Sequence, residues 1–158
     1  KRLNLSDILN ALELSLKTPS VCNRQPWKFY LVRNLNTINQ ILQVQGGFKG
    51  FGENVDSIII ITSVLKRMSN IYERNQGFID TGMVSMSLLY ALHFQGIASC
   101  PLNANFDIKR EEEIRKIVSI DDSEYITMLI AIGSYPEIIV SPKSERSCLE
   151  DMLMIIER

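Results

Sequence analysis

Apolar and polar positions alternate with two different periods along this chain, and the switches between them divide it into elements. Leu5, Ile8, Leu9, Leu12 and Leu16 recur three and four residues apart, which predicts an amphipathic helix over 5–17 that Asn4 or Ser6 can cap. Thr18-Pro19-Ser20 ends it. From Lys28 to Val32 the period falls to two, the pattern of a strand, and Asn34 and Asn36 close it in a turn before a short helix at about 36–44. Ser57 to Val64 is apolar on both faces, so it is expected in the middle of a sheet with layers above and below. Phe78 to Phe94 is apolar almost all round and carries Gly82, Ser85, Ser87 and Ala91, which predicts a helix packed on every side, with small residues where another helix comes close.

Gln95-Gly96 closes that helix, and Ile97 to Cys100 reads as a short strand that Pro101 stops. Lys109 to Val118 reads as a charged helix with Ile114, Ile117 and Val118 turned inward. Tyr125 to Ile132 reads as a buried strand ended by Gly133, and 147–157 as a last helix. Gly46, Gly47, Gly50 and Gly52 alternate with Phe48 and Phe51 in a loop with aromatic anchors; it has no Gly-Lys-Ser/Thr ending and so is not a phosphate-binding P-loop. Helices and strands alternate without repeats or linkers, which predicts one α+β or α/β domain over 1–158. A chain of this length buries roughly two thirds of its unfolded surface in one core.

Charge and cysteine content narrow the function. Lys and Arg number 17 against 18 Asp and Glu, for a net charge of -1, and no block of like charge offers a surface for nucleic acid or anionic lipid. The longest apolar run, Ile58 to Ile61, is far short of the ~20 residues of a membrane span. No secretory signal pattern precedes the first helix. Cys22, Cys100 and Cys148 are odd in number and far apart, the usage of reduced thiols rather than of a disulfide framework or zinc site, so a cytoplasmic protein is expected.

Acid-base machinery is sparse. His93 is the single histidine and lies within the apolar helix, so no multi-histidine metal site is available; it reads as a hydrogen-bonded structural residue, with a Cys-His pair to Cys22 or Cys100 as the reactive alternative. Glu111, Glu112 and Glu113 are consecutive on a helix, point in different directions and read as a solvated face. What stands out instead is a polar cluster, Ser20, Cys22, Asn23, Arg24 and Gln25, immediately before Pro26-Trp27 and a strand. Polar groups at strand ends without strong acids or bases suit a cofactor that carries the chemistry itself, with the protein supplying hydrogen bonds and orientation.

Four stretches in order carry a specific resemblance. Pro19-Ser20-Val21-Cys22-Asn23-Arg24-Gln25-Pro26-Trp27-Lys28-Phe29 resembles the Pro-Ser-x-x-Asn-x-Gln-Pro-Trp-x-Phe motif of the nitroreductase-like FMN flavoproteins. Gly77 to Gly82 with Leu88 to Leu92 resembles the interface helix of that family. Gly96 to Asn103 resembles its flavin-edge loop. Ile132 to Pro136 with Pro142 to Arg146 resembles its phosphate-side segment. The resemblance implies a mixed α+β sandwich with a mostly antiparallel central sheet flanked by helices, an intertwined homodimer, and FMN at the subunit interface. It implies hydride transfer from NAD(P)H through flavin N5 to a small-molecule acceptor such as a nitroaromatic or quinone.

Carried over by position, Ser20, Asn23, Arg24 and Gln25 line the flavin ring and ribityl chain from the partner subunit. Backbone N–H groups around Ser99, Cys100, Asn103 and Ala104 meet the N5 and O4 edge, and Lys143 and Arg146 lie on the phosphate side. The residue types suit these roles: Asn and Gln donate and accept, as the flavin pyrimidine edge requires, and Arg and Lys neutralise a phosphate. Each also has a plainer reading. Ser20 is a good turn residue, Asn23 and Gln25 can satisfy loop backbone, Cys22 and Cys100 can be small packing residues, and Lys143 can be a solvated charge.

One feature departs from the family pattern: the sequence starts at Lys1-Arg2-Leu3 without the Arg-Arg-Ser-x-Arg-like segment that supplies much of the family's phosphate binding. Either that segment lies outside this sequence or FMN binding is weak. Two other functions therefore stand beside the oxidoreductase: a flavin-binding or interaction protein with little turnover, and a specialised flavin enzyme such as a reductive dehalogenase.

Overall fold

A computed structural model describes residues 2–48, 50–140 and 143–157; Lys1 and Pro142, both named above, lie outside the described residues. Four strands, β1 (Trp27–Val32), β2 (Ser57–Val64), β3 (Ile97–Asn103) and β4 (Glu124–Ser134), form one sheet in the order β1-β2-β4-β3. Every neighbouring pair is antiparallel, which makes the expected mostly antiparallel sheet wholly antiparallel. The helices are α1 (Leu5–Ser15), α2 (Leu35–Gln45), α3 (Gln76–Phe94), α4 (Ile108–Val118) and a single turn, α5 (Leu149–Met152).

The two-faced apolar pattern of β2 has the predicted consequence. Ile58 and Ile60 point into one cluster, with Ile38, Ile41 and Leu42 of α2 and Ile114 of α4. Ile59 and Ile61 point into the other, with Ile8 and Ala11 of α1 and Val84, Leu88 and Leu92 of α3. All four isoleucines are fully buried. Each such side chain contributes roughly 1.5–3 kcal/mol relative to exposure, so this strand fixes the order of the three layers. Helix ends follow local chemistry: Asn34 Oδ1 accepts from Thr37 N at 3.1 Å at the start of α2, Gly46 takes φ 75° at its end, and Asp107 Oδ1 accepts from Arg110 N at 2.9 Å at the start of α4.

Three elements differ from the sequence pattern, each for a local reason. Pro101 does not stop β3; the strand continues to Asn103 because β3 is an edge strand, where proline's missing N–H can face away from the ladder. β4 contains a bulge at Thr127: Ile61 pairs with Met128 and Thr62 with Ile126, and the Thr127 hydroxyl donates to Ile61 O at 2.9 Å. The extra residue brings Ile126 and Leu129, three apart, to the same face. The helix expected over 147–157 is reduced to Leu149–Met152, with Leu153 to Ile156 exposed, because no described partner covers its apolar residues.

Candidate functional site

The polar cluster before Trp27 is a tight turn with three non-glycine residues in the left-handed region: Cys22 (φ 48°), Asn23 (φ 55°) and Gln25 (φ 47°). Such residues cost of order 1 kcal/mol each and persist where surrounding structure holds them. The holding groups are visible. The Ser20 hydroxyl oxygen accepts from Gln25 N at 2.9 Å, and Gln25 Nε2 donates to Asn23 Oδ1 at 2.9 Å. Asp80, 1% exposed on α3, accepts from Val21 N at 3.3 Å and from Gln76 Nε2 at 2.8 Å. The plainer readings of Ser20, Asn23 and Gln25 therefore describe bonds they make. The exposed side of the Asn23 and Gln25 amides remains open to solvent.

Arg24 is engaged within the chain. Its Nη2 lies 2.8 Å from Glu73 Oε1, and its Nη1 donates to Arg67 O at 3.1 Å and to Ser69 Oγ. Ser99 and Cys100 lie elsewhere, on β3, where they line a cavity of about 730 Å³ together with Gly133 to Pro136, Asn54 to Asp56 and Arg2. Burial pushes the Cys100 thiol pKa above its ordinary value, so it sits there as a neutral thiol. Asn103 and Ala104 are four residues further along the same edge, about 14 Å away at strand rise; Asn103 O accepts from Gln45 Nε2 at 3.3 Å, and Ala104 packs on the α2/α4 cluster. Lys143 and Arg146 are exposed, and Arg146 donates to the carbonyls of Ser144 and Glu145.

The four sequence motifs thus come together as two pairs. Val21 to Asp80 joins the first motif to the second, and the cavity joins Ser99 and Cys100 to the Gly133–Pro136 segment. The pairs are far apart. Trp27 is opposite Ser63 of β2, whereas Ser99 is opposite Ile132, which is opposite Ser57. Six residues along the strand and three strand spacings across the sheet separate them, about 25 Å in all. No single flavin ring system of one chain touches both.

His93 is on the surface end of α3, with Nδ1 2.8 Å from the Tyr135 hydroxyl, and neither Cys22 nor Cys100 is among its partners. Among the described residues no group of three or more His, Cys, Asp and Glu is placed to hold a metal, and no helix is long and apolar enough to cross a membrane. Two polar clusters carry no signal in the sequence. One is the Glu73–Arg24 pair, because the partners are 49 residues apart and neither alone carries a signal. The other is a buried carboxylate, Glu124, which accepts from Lys28 Nζ at 2.7 Å, Tyr30 Oη at 2.9 Å and Thr62 Oγ1 at 2.6 Å.

Residues 43–134 match the model of the nitroreductase family. No curated protein matches the chain by sequence. Among solved structures, ydfN of Bacillus subtilis superposes with a TM-score of 0.85 at 16% identity, covering 98% of this chain and 89% of that one. The nitroreductase family protein of Streptococcus pneumoniae TIGR4 gives 0.77 at 21% identity over 98% and 90%. The FMN-dependent nitroreductase of Clostridium difficile R20291 gives 0.72 at 16% identity over 97% and 85%. At these identities the superpositions establish a shared fold; the match over more than half the length establishes descent, and the chain belongs to the nitroreductase family.

Proposed function

We propose that this chain is an FMN-dependent oxidoreductase that works as a homodimer, oxidising NAD(P)H and reducing a small planar acceptor of the quinone or nitroaromatic kind. The observation that carries the reading is the separation of the two motif pairs at opposite corners of one sheet. In a two-fold dimer the Ser20–Gln25 turn of one protomer can stand against the Ser99–Ala104 edge of its partner, so that one flavin meets both. A large unpartnered apolar face favours the same arrangement. Ile79, Met83, Met86, Tyr90 and Phe94 recur at helical spacing along α3 and are all exposed, as are Leu153 to Ile156.

The residues present suit the cofactor. Asn23 and Gln25 present amides, and β3, as an edge strand, keeps alternate backbone N–H groups free of ladder partners. The cavity beside Ser99 is of the size that organic cofactors and substrates fill. Lys143 and Arg146 are the cations assigned to the phosphate. When bound, FMN supplies the two-electron relay between nicotinamide and acceptor that no side chain of this protein supplies. The protein's part is to hold ring and phosphate in place and to keep the strained turn ready before binding. Three free cysteines agree with a cytoplasmic location.

The test is an FMN titration of the purified protein, read by quenching of flavin fluorescence, beside a molar-mass measurement in solution. One FMN per chain on a dimer, followed by NADH or NADPH oxidation that depends on added 1,4-benzoquinone, is expected. A monomer, or a dimer that binds no FMN, refutes the proposal; FMN binding without turnover favours the binding-protein alternative.

A further inference from the structure

The segment between β2 and α3 is fastened to the Ser20–Gln25 turn by two arginines that reach in opposite directions. Arg24, on the turn, donates through Nη1 to the carbonyl of Arg67 at 3.1 Å and to the Ser69 hydroxyl, and its Nη2 meets Glu73 at 2.8 Å. Arg67, on the segment, donates back through Nη1 to the carbonyls of Arg24 at 3.0 Å and Gln25 at 2.6 Å. Glu73 uses its second oxygen to accept from Ser69 N at 2.6 Å, which closes the segment on itself. Arg24 and Glu73 are 21% and 18% exposed, so the pair is partly shielded from water and stronger than an open surface pair.

This reciprocal fastening has an odd result: the strap it fixes carries Ile71 and Tyr72 out into solvent, 74% and 92% exposed. A loop that merely connected two elements would gain by turning those side chains in. Holding a large ring out on a rigid, charge-locked strap beside the turn proposed to grip the flavin is what a binding wall requires.

We infer that Arg24 acts through the strap as a positioning residue, and that Ile71 and Tyr72 form a wall of the acceptor site, selecting flat aromatic acceptors by stacking on the Tyr72 ring. The inference rests on the proposed FMN oxidoreductase function. It assigns Arg24 a different task from ring contact: its two terminal nitrogens are spent on Glu73, Ser69 and a carbonyl, while Gln25 Nε2 and Asn23 Oδ1 bond to each other and the opposite ends of the two amides, Asn23 Nδ2 and Gln25 Oε1, are left for the cofactor. A stacked ring pair contributes about 0.5–1.5 kcal/mol, a factor of roughly 2 to 12 in affinity.

The test uses the FMN-loaded protein with NADH as reductant, and with 1,4-benzoquinone, nitrobenzene and the small non-aromatic acceptor ferricyanide as probes. Tyr72→Ala is expected to raise KM for the two aromatic acceptors about fivefold to tenfold, with kcat, the FMN dissociation constant and the ferricyanide rate within twofold of the parent. Tyr72→Phe is expected to restore KM, since it keeps the ring. Glu73→Gln is expected to raise the same KM values and to speed amide hydrogen exchange across 68–73, measured on the unloaded protein as well. Unchanged aromatic KM in Tyr72→Ala refutes the wall, and unchanged exchange in Glu73→Gln refutes the clasp. A parent protein that binds no FMN overturns the proposed function and the acceptor wall with it, while the exchange measurement still decides the clasp.

Discussion

Replacing Glu124 by Ala tests how the sheet tolerates a carboxylate in its interior. Glu124 is 4% exposed at the start of β4, and its three donors stand on the same face as Ile58 and Ile60: Lys28 and Tyr30 from β1, Thr62 from β2. Thr62 is fully buried, so the substitution strands its hydroxyl without water, at about 1–3 kcal/mol. Tyr30 loses one bond, about 1 kcal/mol. The Lys28 ammonium, on a side chain 50% exposed, turns to solvent and contributes at most about 1 kcal/mol. A loss of about 3 kcal/mol follows, read from urea unfolding at pH 7 and fixed protomer concentration. Thr62→Val made together with Glu124→Ala is expected to lose less than the two single changes added, by about 1–2 kcal/mol, because the stranded donor is gone. The pH dependence has a definite sign. Burial pushes the Glu124 pKa up, but the bonds from Lys28, Thr62 and Tyr30 outweigh burial and hold it below the ordinary glutamate value. A group lowered on folding contributes stability that is present above its unfolded pKa and disappears as pH falls through the folded one. The gap between parent and Glu124→Ala therefore narrows below about pH 4. A loss under 1 kcal/mol at neutral pH, or a gap that widens in acid, refutes the reasoning.

Other perturbations have equally direct readings. At Gly77 a Cβ would lie 1.8 Å from the Tyr125 hydroxyl and 2.5 Å from the Ser63 hydroxyl, neither of which has a hydrogen-bond partner. Gly77→Ala is expected to cost about 1–3 kcal/mol in urea unfolding, and Tyr125→Phe to recover part of it. Cys22→Gly relieves a left-handed non-glycine residue and should raise stability by about 0.5 kcal/mol after the entropy of the added glycine is deducted; a loss of 1 kcal/mol would show that the turn is not strained there. In labelling with an aromatic disulfide at pH 8, exposed Cys22 and Cys148 should react first and Cys100 last, since its thiol is half-buried and its pKa is raised by burial.

The strands and long helices were legible because single-period runs decide them: Ser57–Val64 became a central strand with both faces covered, and Phe78–Phe94 a helix with Gln76 and Gly77 added at its start; it is not packed on every side within the chain, since Val84, Leu88 and Leu92 are buried against the sheet while Ile79, Met83, Met86, Tyr90 and Phe94 stay exposed. The errors lie where a tertiary partner outweighs local pattern. Pro101 is tolerated only because β3 lies at the sheet edge, and the sequence carries no sign of strand order. The Thr127 bulge interrupts the alternation of a strand that is apolar throughout, where a one-residue slip leaves no trace. The 147–157 stretch reads as helix by pattern, yet a helix needs something to pack on. At the candidate site the residue types Ser20, Asn23 and Gln25 were readable from the motif. That Arg24 is engaged through both terminal nitrogens by a segment 43 to 49 residues downstream was not, since an ion pair between distant positions leaves no periodic signal.

The placement of the strained turn gives that pairing its meaning. Three left-handed residues in four positions cost a few kcal/mol, a sizeable part of a domain's usual 5–15 kcal/mol margin. The turn keeps its shape because it is gripped from both sides. Buried Asp80 holds Val21 from the α3 side, and Arg67 holds the carbonyls of Arg24 and Gln25 from the strap. Both grips end on backbone atoms and so leave the side chains of Asn23 and Gln25 alone; the bond from Gln25 Nε2 to Asn23 Oδ1 fixes the two amides in direction and uses only one end of each. A binding edge arranged this way loses little entropy when a ligand arrives, because its ordering was already met in folding. Breaking one grip should therefore weaken FMN affinity less than it loosens the turn, so long as the other remains. Asp80→Asn, which keeps the acceptor for Val21 but removes the charge, should be milder than Asp80→Ala on both flavin affinity and stability. Equal losses from the two would show that the buried charge, rather than the bond to Val21, holds the turn.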